Sequence, residues 1–317
     1  MSRLSIVIPL LGDSRQLDET LLSVLESRPD NCEILVVHNE PYHDPYNLSD
    51  EVRFVEAERG TGMVECVNRG IAASRSPVIH VLTCGVEVCP GWTDAAMRHF
   101  GNPDIAAVGA VVLDRDDRRK IVSAGWAYRV EGTAYRLGRQ DEPDDVTASQ
   151  QDLCGPDTLA AFYRTSAIQS VGGFSAWAGA TLAAIDLSLA LRQAGFRCVL
   201  EPQCLAYAGA AAIGAEPAFR RGRHAERLFW RWASSRGWLP SLVGHVALLA
   251  GQCVIGLGRP SMLVQFAGRI CGMFQAMFAQ RRPRPAEPAP VEKPSVVAAP
   301  HFAVARLHEG QRLSRAA

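Results

Sequence analysis

The stretch Leu4-Ser-Ile-Val-Ile-Pro9, followed by Leu10-Leu11-Gly12-Asp13, decides how the rest of the chain is read. A short, continuous apolar run closed by Pro and then Gly-Asp is the pattern of a strand buried on both faces, the form strands take in parallel sheets. Residues 16–27 then place Leu17, Leu21, Leu22 and Leu25 at helical spacing. Residues 33–37 read as a second strand, 52–55 as a short third, 63–73 as a helix and 78–82 as a further strand. Pro90-Gly91-Trp92 leads into a helix through Phe100, and 105–113 is strand again. Strands alternating with helices of this length predict an α/β layer structure with a mostly parallel central sheet flanked by helices.

Beyond residue 113 the texture changes. Residues 114–148 are polar, charged and punctuated by Gly, predicting hairpins and a long excursion. Residues 159–170 read as a helix ending in Val171-Gly-Gly173, 185–194 as a helix closed by Gly195, and 197–200 as a strand. A basic, Trp-rich helix over 220–238 precedes an apolar segment reaching about residue 279. The Pro/Ala-rich stretch 281–300 has no means of building a core, and 301–317 is a short terminal peptide. Three parts result: a domain over 1–217, a basic and apolar helical extension over 218–280, and a flexible tail over 281–317.

The formal net charge is zero, 33 Lys plus Arg against 33 Asp plus Glu, but this is a cancellation. Residues 1–217 hold 18 basic and 29 acidic groups, and residues 218–317 hold 15 and 4. The balance argues against a nucleic-acid footprint over the whole chain and against an acidic disordered solvator. The nine Cys include no C-x-x-C, and neither Cys84 nor Cys89 has a partner at zinc-finger spacing, so buried reduced thiols are expected. No export signal is read at the N-terminus, and a cytoplasmic location follows. Residues 237–258 carry no charged side chain and approach the about 20 residues of a bilayer span. Pro240, His245, Gln252 and three interior Gly weaken that reading in favour of a buried or surface-lying helix.

The pieces, in order, resemble glycosyltransferase family 2, inverting sugar transferases of GT-A fold. The residues concerned are Ser5-Ile-Val-Ile-Pro9, Glu33-Ile-Leu-Val-Val37-His-Asn39, Gly62 with Asn68-Arg-Gly-Ile71, and Val81-Leu82 with Glu87-Val-Cys-Pro-Gly-Trp92. Ala107-Val-Gly-Ala110, Ser123-Ala-Gly125, Tyr163-Arg164, Val171-Gly-Gly-Phe174, Asp186-Leu187, Ala194-Gly195 and Glu201-Pro202 complete the set. The resemblance implies a nucleotide-sugar donor in the crevice at the strand ends, with Pro9, His38, Asn39, Asn68 and Arg164 as candidate binding residues. It implies a glycan or lipid-linked acceptor. If the chain is active, it implies Mg²⁺ or Mn²⁺ held by an Asp-x-Asp pair, hard oxygen ligands suiting a cation that offsets diphosphate charge.

The chemistry-bearing positions are the ones that depart. The Asp-x-Asp slot reads Thr83-Cys84-Gly85, and the base pair before Asp186 reads Ala183-Ala184. The loop acid of the second strand is His38, the following positions are Pro41 and His43, and the His after the Glu-Pro strand aligns with Ala208. Two readings follow. In one, surviving acids substitute: Glu87 as a metal ligand in place of Thr83 and Gly85, and Asp186 as the catalytic base in place of Ala184. In the other, metal binding and base catalysis are lost, leaving a pseudo-glycosyltransferase that binds or assembles; losing either role costs about 10²–10⁴ in rate. No P-loop or dinucleotide fingerprint is present, and Ser123 and Ser166 lack a nucleophile-elbow context.

Arg220, Arg223, Arg227 and Arg231 recur on one helical face among Phe219, Phe229, Trp230, Trp232 and Trp238. Either the arginines snorkel from a packed helix, or the face binds a diphosphate or anionic lipid. The second option predicts a peripheral protein at the inner face of a membrane, and nucleic acid is not expected as a partner.

Overall fold

The computed structural model describes residues 2–12, 14–138, 152–209, 212, 214, 216–233, 237–256 and 259–278. Residues 281–317, and with them the tail, lie outside the described residues, as does the second part of the polar excursion. Strands β1 (Leu4–Leu10), β2 (Cys32–His38), β3 (Val52–Glu56) and β4 (Val78–Leu82) run parallel, with Pro9 opposite Val37 and Leu10 opposite His38. Beyond β4, the antiparallel β10 (Ala160–Arg164) is inserted before β6 (Ile105–Asp114). β11 (Arg197–Ala208) joins β6 in parallel, and β5 (Val86–Val88) closes the edge. The order is β3-β2-β1-β4-β10-β6-β11-β5, with β7 (Ile121–Ser123) on β6. A small hairpin, β8 (Trp126–Tyr128) and β9 (Ala134–Arg136), stands apart.

All seven residues of β1 are buried because helices cover both faces of the sheet. Alternate side chains enter opposite layers. Val7 joins a cluster with α2 (Met63–Ala73), α4 (Thr165–Ser170) and α5 (Gly179–Gln193). Ile6 and Ile8 join another with α1 (Ser14–Ser27) and α3 (Trp92–His99).

The helix expected over 159–170 is instead strand β10 followed by the short α4. Ala160-Ala-Phe-Tyr163 pairs with β4 on one side and β6 on the other. An apolar run this short fits either form, and the two open strand edges decide it. The helix expected from 185 begins earlier, at Gly179. The basic helix is α6 (Ala218–Trp232), and the apolar segment after it folds into α7 (Trp238–Gly256) and α8 (Pro260–Phe278).

α6 and α8 meet backbone to backbone. A Cβ on Gly222 would stand 2.0 Å from the Gln265 carbonyl oxygen, and one on Gly268 2.0 Å from that of Phe219. Only glycine permits that approach. α7 is the one helix among the described residues long and apolar enough to cross a membrane, and most of its surface is exposed.

Candidate functional site

The strand ends of β1 and β2 bring Pro9, His38 and Asn39 together at the carboxyl edge of the parallel sheet, where open α/β sheets bind ligands. His38 donates from Nδ1 to the Glu40 carbonyl at 2.8 Å, which leaves Nε2 as the other ring position. Asn39 Nδ2 donates to the Thr61 carbonyl at 2.8 Å, tying this loop to the one before α2, while its buried Oδ1 has no partner.

The end of β4 is closed. Thr83 Oγ1 donates to the Thr158 carbonyl at 3.0 Å, and the buried Cys84 thiol donates to the Pro9 carbonyl at 3.2 Å. Burial pushes that thiol up to about 12, so it offers no thiolate. Gly85 has φ +83°, and a Cβ there would stand 3.2 Å from both the Ala212 Cβ and Gln16 Oε1. Glu87 does not replace the lost acids. It sits on β5 with Oε1 accepting from Arg115 Nη1 at 3.0 Å, and Arg115 also holds Glu19. No cluster of three His, Cys, Asp or Glu suited to a metal occurs among the described residues. A hydroxyl, a neutral thiol and a glycine do not fit Mg²⁺ or Mn²⁺, which need hard anionic oxygens.

Three further candidates are placed in structural work. Arg164 pairs with Val78, the first residue of β4, so it lies at the opposite end of the sheet from Pro9. There it donates to the carbonyls of Phe100, Asn102 and Ile105 at 2.8–3.1 Å, since the antiparallel β10 reverses the direction that a parallel strand would give. Asn68 spends both ends of its amide on Phe174, donating to its carbonyl at 2.8 Å and accepting from its N–H at 3.0 Å.

Asp186 is fully buried. It accepts from Ser175 Oγ at 2.6 Å and from Trp232 Nε1 at 2.9 Å, and pairs with Arg231 Nε at 3.1 Å. A carboxylate so enclosed has no path to an acceptor hydroxyl, and the role of base does not fall to it. Ala183 and Ala184 are buried in the core of α5, and Ala208 is buried at the end of β11.

What opens instead is a cavity of about 990 Å³ between Leu11, the first turn of α2, the start of α5, and the helices α6 and α8. That is the upper range of small-molecule sites. Arg220, Arg223, His224 and Arg227 line it from α6, Trp177 and Gly179 from the α5 side, and Phe274 and Phe278 from α8. His224 donates from Nδ1 to Glu216 Oε1 at 2.6 Å, and its Nε2 accepts from Arg223 Nη2 at 3.0 Å, which fixes the neutral tautomer. Gly179, at φ +69°, leaves room for this pair; a Cβ there would meet His224 Nδ1 at 2.6 Å. Arg227 and Arg231 stack on the Trp177 ring at 4.6 and 5.3 Å. Burial, then the positive charges of Arg223 and Arg231, hold the Arg227 guanidinium below its ordinary range. Trp177 and Glu216 carried no sequence signal of their own; the one hint was an acid followed by Pro217 at the start of a basic helix.

The model of the family described as glycosyl transferase family 2 matches residues 5–167, half of the chain. The chain belongs to glycosyl transferase family 2. Among solved structures it is similar to the mannosyltransferase PcManGT from Pyrobaculum calidifontis in complex with GDP-Man and Mn²⁺. That match has 13% identity over 87% of each chain and a TM-score of 0.53. It is also similar to GalNAc-T7 with UDP, GalNAc and Mn²⁺, at 13% identity and a TM-score of 0.57, covering 73% of this chain and 48% of that one. At such identities the likeness is one of fold, and the fold is GT-A. No curated protein sequence matches the chain.

Proposed function

We propose that this family-2 chain takes a nucleotide sugar into the crevice at the ends of β1 and β2 and transfers the sugar to a glycan or lipid-linked acceptor, with no divalent cation at the end of β4. The supporting observation is the pairing of a filled Thr83–Cys84–Gly85 slot with an open, arginine-lined cavity that reaches Leu11, just past the end of β1. The two similar structures, whose names include GDP-Man and UDP, agree with a nucleotide-sugar donor. A second reading, binding without turnover, is favoured by the buried Ala183-Ala184 and the enclosed Asp186, which leave the usual base position empty of acid.

Titration of the full chain with UDP, GDP and dTDP sugars, with EDTA or Mn²⁺, separates these. Thermal stabilisation by one donor in EDTA, accompanied by release of its nucleoside diphosphate, is the expected result. Stabilisation without release supports the second reading. A response that requires Mn²⁺ overturns the cation-free assignment, and a flat response across donors overturns both.

The acceptor is proposed to be met at a membrane surface. Most exposed large apolar side chains among the described residues, from Trp238 to Phe278, lie on α7 and α8. No Asp or Glu occurs between Glu226 and Glu287. Apolar helices carrying cations suit the interface of an anionic bilayer, where each basic residue contributes about 1 kcal/mol. In flotation, the chain is expected to rise with vesicles containing phosphatidylglycerol and to be released by high salt. Recovery wholly in the soluble fraction at low salt would count against this placement.

A further inference from the structure

Arg220, Arg223 and Arg227 face the cavity between α2, α6 and α8 without acid partners among the described residues. Arg227 makes only a 3.4 Å contact to Gln275 Oε1 besides its stacking on Trp177. Arg223 is steered by the neutral His224, and its buried Nε has no partner. Two carboxylates reach the same lining. Glu216 is spent on His224, and Glu65 lies in the exposed first turn of α2. The first turn of α2, an 11-residue helix opened by Gly62, lines the same space, and the N–H groups of a first turn have no partner within their own helix. A set of guanidiniums, two of them half-buried, beside the first turn of a helix is matched by a multiply charged oxyanion, because guanidinium forks bond phosphate oxygens in pairs.

We propose that Arg220, Arg223 and Arg227 form a cation-independent site for a diphosphate group, supplying from α6 the positive charge that the end of β4 cannot hold. This rests on the reading of a nucleotide-sugar donor above. The same chemistry is offered by two sources, a soluble nucleoside diphosphate and a phosphate headgroup entering past Phe274 and Phe278. The neutral tautomer of His224 matters here. With Nδ1–H fixed on Glu216, Nε2 can only accept, and it holds one arm of Arg223 while the others stay free for the anion.

The test is calorimetric titration of the full chain in EDTA with UDP, GDP and inorganic pyrophosphate, and co-sedimentation with phosphatidylcholine vesicles carrying phosphatidic acid. Arg223→Gln/Arg227→Gln is expected to weaken binding on the order of tenfold to a hundredfold, the loss of one or two charge-assisted bonds. Exposed Arg220→Gln gives a smaller loss with no effect on folding. Thermal unfolding verifies that the double variant is folded; if it is not, Arg220→Gln and Arg227→Lys decide the matter. Undiminished nucleotide binding by the folded variants overturns the site and leaves the proposed function standing. Binding only with Mn²⁺ overturns the site as well. Arginine-dependent binding of pyrophosphate or vesicles with no nucleotide bound upholds the site and overturns the donor reading. No anion bound in any arm overturns both.

Discussion

Replacing Asp186 by alanine is expected to destabilise the whole chain, not to leave a folded protein that lacks a base. The carboxylate has no exposed surface, and its oxygens serve Ser175, Trp232 and Arg231. Two of those partners belong to α6, so this one side chain, on α5, joins the sheet-bearing part of the fold to the basic helix. Its removal takes the carboxylate acceptor from the Trp232 N–H and the opposite charge from Arg231, which keeps its stacking on Trp177. Breaking a buried pair from one side costs about 3–5 kcal/mol. For a chain of this size that is a fall in melting temperature on the order of 10 °C. Asp186→Asn keeps an oxygen for Trp232 and turns its amide N–H toward the Ser175 hydroxyl, which can accept as well as donate, so what is lost is the charge facing Arg231 and a smaller fall is expected. Urea denaturation of both variants, with nucleotide titration of the folded Asn form, is the check. An alanine variant as stable as the parent, with lost turnover, would return Asp186 to the role of base.

That reversal shows which kind of information the sequence holds. The parallel core was legible because each strand is a local pattern: Leu4 to Leu10 and Val78 to Leu82 stand where their apolar runs and closing residues put them. The loss of acid at Thr83-Cys84-Gly85 was legible too, since it needs only a slot and three letters. Roles that depend on direction or on distant partners were not. Arg164 follows a Tyr just as a crevice residue could, but β10 runs antiparallel and delivers it to the wrong end of the sheet. Glu87 looks like a free strand-end acid until the chain returns after β6 and lays Arg115 against it. Asn68 faces Phe174, which lies far along the chain and reaches it through the Gly172-Gly173 turn. The same holds for Trp177 and Glu216: nothing local marks them, and they become cavity walls only when α6 folds back over the start of α5.

The acid sensitivity of the helical extension should trace to Glu226. It is the single acid on α6, it is 3% exposed, and three side chains hold it. Its Oε1 accepts from Trp230 Nε1 at 2.9 Å and lies 3.1 Å from His245 Nε2; its Oε2 accepts from Arg269 Nη1 at 3.0 Å. His245 also donates from Nδ1 to the Glu131 carbonyl at 2.7 Å, so both ring nitrogens act as donors. Burial alone would raise the carboxyl, but the hydrogen bonds and charges of His245 and Arg269 outweigh it and hold it below the usual range. For a carboxylate so depressed, the stabilisation is complete above the unfolded value of about 4.3 and disappears as pH falls through the folded value. The loss therefore belongs to the acid side of about pH 4, and at neutral pH the contribution is fully present. Protonation releases Arg269 and His245 together, which anchor α8 and α7 onto α6. Gly222 and Gly268 keep α6 and α8 in backbone contact whatever the charge, so the loss is of the polar tie and falls hardest on α7, which His245 joins to α6. Glu226→Ala should cost about 3–5 kcal/mol at neutral pH, by leaving Arg269 buried and unpaired, and should erase the acid step. Glu226→Gln, isosteric and uncharged, should erase the step at a smaller cost. Hydrogen exchange of α7 and α8 from pH 7 to pH 3 reads this directly. Protection that persists at low pH in the parent, or a step that survives in Glu226→Gln, would place the acid-sensitive tie elsewhere.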